Sequence, residues 1–254
     1  MSIIQLSSLF ELTLVDWLLA FLAAMLVGMS KSGFKGLGVI IVTTFALVFG
    51  AKSSTGLILP ILIVGDIIAV IYYTRHTQWK YLLQMLPAMI VGVLIGVKVG
   101  EDLDESTFKQ GMAVIILLSV GMMWWWDRRN SEKVPTHWLF GTLMGLGAGF
   151  TTMVGNLAGA FSNIYFLAMR LPKNQFIGTA AWLFFIINLF KLPFHIYTWK
   201  TIDIQTISVN LWLLSAVFLG FVLGLQIVKR IENNQYRKFI LIVTAIGALT
   251  IFFK

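Results

Sequence analysis

Apolar runs of about twenty residues recur from one end of this chain to the other, separated by short polar stretches. A helix of that length covers the ~30 Å hydrocarbon core of a bilayer. The runs fall roughly at 13–29, 36–51, 53–74, 80–99, 107–126, 138–153, 157–169, 174–198, 204–228 and 235–253. No polar stretch is long enough for a separate soluble domain. Only 12% of residues are charged, against roughly a quarter in soluble domains. The sequence therefore predicts an all-α, polytopic transmembrane protein whose partner is the lipid bilayer.

Nineteen Lys and Arg stand against eleven Asp and Glu, a formal charge of +8. The basic residues sit mostly in short loops, where membrane proteins place them on the cytoplasmic side, so no nucleic-acid partner is expected. Without cysteine there is no disulfide, thiol catalysis or Cys-ligated metal. His76 and His137 fall in or beside loops, and His195 has no second His or carboxylate at metal-site spacing. Neither a Ser-His-Asp set, a P-loop nor a dinucleotide fingerprint is present. We expect no enzyme, no metal and no cofactor. The first basic residue, Lys31, follows Glu11 and Asp16, a pattern unlike a cleaved signal peptide.

The two halves resemble each other. Gly33 corresponds to Gly155, Gly56 to Gly178 and Asp66 to Asn188, each offset by 122; Tyr73-Thr74 corresponds to Tyr197-Thr198 and Phe108-Lys109 to Tyr236-Arg237. Such internal symmetry marks transporter folds built from duplicated units. The polar stretch DRRNSEKVPTH divides them, so the predicted organisation is a first repeat at 1–127, a cytoplasmic linker at 128–137 and a second repeat at 138–254. Residues 13–50 would span about 57 Å as one helix, too long for one crossing, and SKSGFKGLG interrupts them with three glycines. A helical hairpin is expected there, and another around GNLAG at 155–159. Each half is then a broken hairpin plus three spanning helices, and the odd number of spans makes the repeats inverted. Loop charges agree. The inverted scheme gathers eleven basic residues on one side against five on the other, whereas single crossings give nine against seven. Both termini then lie outside the cytoplasm.

Charged residues at membrane depth usually mark function. Lys31 and Lys35 sit in the first break, where Gly33 and Gly36 let backbone approach a ligand and a new helix start offers N–H groups to an anion. Snorkelling to an interface is the plainer role for both lysines. Asn156 occupies the second break, where it binds an anion or satisfies broken backbone. Asn188 and Lys191 share a helix face ahead of Pro193. Lys191 is either a substrate-binding cation or the partner of Asp66. Asp66, the one acid deep in an apolar run, carries a proton or neutralises a lysine. Trp124, Trp125 and Trp126 read as an interfacial anchor. Gly92xxxGly96 and Gly220xxxGly224 read as helix contacts.

The stretches GMSKSGFKGLG at 28–38, LPILIVGDIIAVIYYTRHTQW at 59–79, GFTTMVGNLAGAFSNIYFLAMRLPKNQFIGT at 149–179 and NLFKLPF at 188–194 resemble the sulfite exporter TauE/SafE family, also called toluene sulfonate uptake permeases. The resemblance spans nearly the whole chain. It departs at Lys35, where relatives often have Gly, and at Ala160, where Pro commonly follows the glycine. The resemblance implies a multi-pass protein of the prokaryotic inner (cytoplasmic) membrane, with duplicated halves. It also implies transport of a small sulfur-containing or organic anion of the sulfite, sulfonate or sulfoacetate type, with Lys31, Asn156, Asn188 and Lys191 on motif positions. We expect a secondary transporter working by alternating access. A passive anion channel and a membrane accessory protein or enzyme of sulfur metabolism are the alternatives. The specific anion, direction, coupling ion and oligomeric state, a homo-oligomer included, stay open.

Overall fold

The structure is a computed structural model describing residue 5 and residues 12–128, 137–233, 235–236, 238–240 and 242, with the side chains of residues 120 and 123–128 excepted. The side chains of Trp124 to Trp126, most of the linker and most of the last apolar run lie outside the described residues. What is described is helical, without strands. In chain order the α-helices are α1 (Leu14–Lys31), α2 (Gly38–Phe49), α3 (Ala51–Tyr73), α4 (Trp79–Glu101), α5 (Glu105–Arg128), α6 (Trp138–Gly155), α7 (Gly159–Ala168), α8 (Lys173–Pro193) and α9 (Ile204–Arg230). A π-helical turn, Phe194–Thr198, prolongs α8 beyond Pro193.

Local chemistry sets these ends. Thr13 and Asp16 form a reciprocal capping box at the start of α1. Asp203 accepts from the Thr206 N–H at 2.7 Å and opens α9. The start of α3 has no cap of its own, and the Glu105 carboxylate takes the Ala51 and Lys52 N–H groups from across the fold. Among the described residues six helices (α1, α3, α4, α6, α8 and α9) are long and apolar enough to cross a membrane. α2 has 12 residues and α7 has 10, which at 1.5 Å per residue reach only about half-way through a bilayer core.

The distribution of side chains is that of a membrane protein. Leu14, Ile71, Leu118 and Leu211 are exposed around the outside, while Lys31, Lys35, Asp66, Asn188, Lys191 and His195 are buried. Outward apolar groups meet lipid, and polar groups are gathered where other protein groups can satisfy them.

Long helices pack through glycine. A Cβ at Gly28 would lie 1.9 Å from the Val217 carbonyl, and one at Gly220 1.9 Å from that of Met25, so α1 and α9 touch backbone to backbone. α4 and α6 do the same, through Gly92 against the Leu146 carbonyl and Gly149 against that of Met89. Between α3 and α8 the contacts run antiparallel. Gly56 meets Thr201, Asp66 meets Asn188, and the Tyr73 carbonyl meets Gly178.

Candidate anion site

Both helical breaks are built by residues that tolerate unusual backbone. In the first, residues 32–37, Gly33 has φ 114° and Gly36 φ 101°. The Ser32 and Gly33 carbonyls accept from the hydroxyls of Tyr73 at 2.8 Å and Tyr236 at 2.6 Å, which fixes the tip. The second break ends α6 on Asn156, which is left-handed with φ 54°; Asn adopts that conformation more readily than other residues with a Cβ.

Lys31 Nζ donates to Asp66 Oδ1 at 2.6 Å, and the Asn188 amide donates to Asp66 Oδ2 at 2.7 Å. The partner of Asp66 is thus Lys31, and the pairing with Lys191 weighed from sequence is not formed. Lys191, fully buried, donates instead to Asn156 Oδ1 at 2.7 Å, the Thr152 carbonyl at 3.0 Å and the Thr152 hydroxyl at 3.1 Å. The Asn156 amide donates to the Thr55 carbonyl at 3.0 Å. Asn156 thereby ties the second break to both α3 and α8, while Asp66 on α3 ties the first break to α8.

Between the breaks lies a cavity of about 100 Å³. Lys31, Lys35 and Gly36 line it from the first break, Asn156 from the second, and Asn188 from α8. Lys191 and Asp66 sit one layer behind, holding Asn156 and Lys31. Gly33 is not on the cavity. A Cβ there would lie 2.5 Å from Ile177 Cδ1, so its glycine serves the turn and its packing. The first residues of α2 and α7 also border the cavity, at Gly38 and Gly159, and neither helix start has a side-chain cap. Two helix N-termini therefore present N–H groups there.

Charge is unbalanced. Lys31, Lys35 and Lys191 are buried, and Asp66 is the one acid buried with them among the described residues. The Lys35 ammonium has no ion pair or hydrogen bond among those residues; it sits 5.5 Å from the centre of the Phe184 ring, and the Lys31 ammonium sits 5.3 Å from the same centre. The described residues hold no cluster of His, Asp and Glu fit for a metal.

A family model described as sulfite exporter TauE/SafE matches residues 19–251. The chain belongs to that family. Membership makes this TauE/SafE protein a multi-pass membrane transport protein for a small anion, and the match covers both breaks and every residue of the cavity named above. No curated protein and no solved structure matches the chain.

Proposed function

We propose that this TauE/SafE protein is a secondary transporter that carries a small sulfur-containing or organic anion across the cytoplasmic membrane by alternating access. The observation that carries this reading is the cavity between two helix starts, where buried lysines outnumber the buried acid. A charge within the membrane costs at least ~2.5 kcal/mol on insertion scales, and a negatively charged guest offsets that cost.

Residues then take roles. Lys31, Lys35 and Gly36 face the anion, with Asn156 and Asn188 beside it. Lys191 fixes the second break. Asp66 offsets one lysine and is the group placed to take a proton if transport is coupled to one. Antiparallel contact between α3 and α8, which correspond in sequence, supports reading the halves as inverted repeats that rock about the site. Lys191→Ala should abolish saturable sulfite uptake into proteoliposomes while the protein still inserts. Unchanged uptake would remove Lys191 from the mechanism. The same vesicles separate the alternatives: a channel shows no counterflow, and an enzyme returns altered sulfite.

A further inference from the structure

Much of the hydrogen-bonding capacity that sequence assigns to the site is already used within the protein. Asn156 donates to Thr55 and accepts from Lys191. The Asn188 amide is given to Asp66, and Lys31 is paired with the same carboxylate. An anion could take these particular bonds only by breaking protein ones, which leaves to it the remaining N–H groups of Lys31 and of the two amides. Other groups on the cavity are free. The Lys35 ammonium is one. Ser119, which lines the cavity from α5, is 1% exposed, and its hydroxyl has no partner among the described residues. Asn163, in α7, is 3% exposed, and its amide oxygen has no partner.

Buried polar atoms are nearly always hydrogen-bonded, and an exception calls for a cause. Among the described residues the other buried side-chain atoms in this condition belong to Thr43, His195 and Asn210, which do not line the cavity. A hydroxyl donates by rotating about its bond, and an amide presents either its oxygen or its NH₂ by turning over. Both side chains can thus serve an oxyanion without adding charge to a site that already carries surplus lysine.

We propose that Ser119 and Asn163 bind the anion directly, through the hydroxyl of one and the amide of the other, while Asn156, Asn188 and Lys191 are positioning residues. This rests on the cavity being the anion site. The two ideas are separable by thermal unfolding of the purified full chain in detergent across a sodium sulfite series, with sodium chloride at matched ionic strength as control. Sulfite that binds the native state raises the melting temperature according to its concentration over Kd. Ser119→Ala and Asn163→Ala should each leave the melting temperature without sulfite unchanged or higher, since neither oxygen has a protein partner to lose. Each should also require roughly tenfold more sulfite for the same rise, the factor for losing one hydrogen bond to a charged group. Asn163→Asp should lose the rise altogether. The proposal is overturned if both alanine variants keep the parent's sulfite dependence, whether or not they melt earlier, because a structural role alone moves only the sulfite-free value. Lys35→Gln tells the failures apart. If it loses the rise while the alanine variants keep it, only the roles of Ser119 and Asn163 fall. If it too keeps the rise, the cavity is not the anion site and the functional reading falls with it.

Discussion

Asp66 faces Lys31 at 2.6 Å with both residues buried, and the consequence of removing either partner is unequal to that of removing both. A lone buried charge keeps its desolvation penalty and loses its compensation. Asp66→Asn should therefore destabilise the protein by ~3–5 kcal/mol, seen as a fall in melting temperature in detergent. Lys31→Met combined with Asp66→Leu should recover most of that loss while abolishing transport. If the double variant melts as early as Asp66→Asn, the pair is not the source of the effect. Sequence pointed to Lys31, Asp66, Asn188 and Lys191 because charges and amides stand out in apolar runs. It could not say which lysine Asp66 would choose, since that depends on how α1, α3 and α8 meet. Ser119 gave no signal: one serine in an apolar helix is ordinary until the space beside its hydroxyl is known. Gly33 is ambiguous for the opposite reason, because a glycine needed for a turn and one needed for a ligand look alike.

Helix limits were the more legible feature, since glycine, polar interruptions and run length mark them directly. The predicted runs at 13–29, 80–99 and 138–153 correspond to Leu14–Lys31, Trp79–Glu101 and Trp138–Gly155. Partners were less legible. Gly92xxxGly96 and Gly220xxxGly224 announced close contacts without naming α6 and α1 as the helices pressed against them. On the other side of those crossings Gly149 has the same spacing with Gly145, whereas Gly28 has no glycine four residues away. A methyl group at Gly28 or Gly149 would stand 1.9 Å from a carbonyl oxygen, so the helices must part. Gly28→Ala and Gly149→Ala should each cost ~1–3 kcal/mol or more by overpacking, read as early melting and loss of monodisperse protein on size exclusion. Gly111, inside α5, has nothing within 4 Å of its added methyl. Gly111→Ala should be neutral or stabilising by ~0.5–1 kcal/mol through helix propensity. A Gly28→Ala variant as stable as Gly111→Ala would mean that the α1–α9 crossing is looser than described.

At the scale of the whole molecule, contacts sort the loops onto two faces. Lys173 Nζ reaches the Val228 carbonyl at 3.1 Å, and Gly178 abuts the Tyr73 carbonyl and His76, so the loop after α3, the start of α8 and the end of α9 share one face. Lys52 Nζ reaches the carbonyls of Glu101 at 3.0 Å and Leu103 at 2.9 Å, and Trp199 packs on Gly100, which gathers the start of α3, the end of α4 and the loop after α8 on the other. Arg75, Lys80, Arg170, Lys173, Lys229 and Arg230 belong to the first face, while the acidic stretch at 101–105 belongs to the second. Basic loops stay in the cytoplasm, so the first face should be cytoplasmic and the acidic loop outside. The chain has no cysteine, which makes single replacements clean reporters. Arg75 and Asp102 are both exposed. In spheroplasts a membrane-impermeant maleimide should label Asp102→Cys and spare Arg75→Cys, and permeabilisation should make both react. Labelling of Arg75→Cys in sealed cells with Asp102→Cys protected would turn the molecule over, leaving the cavity intact but reversing which hairpin opens to which side. Equal labelling of both before permeabilisation would mean that the two loops share a face, and the crossing of the membrane by α4, which lies between them, could not stand.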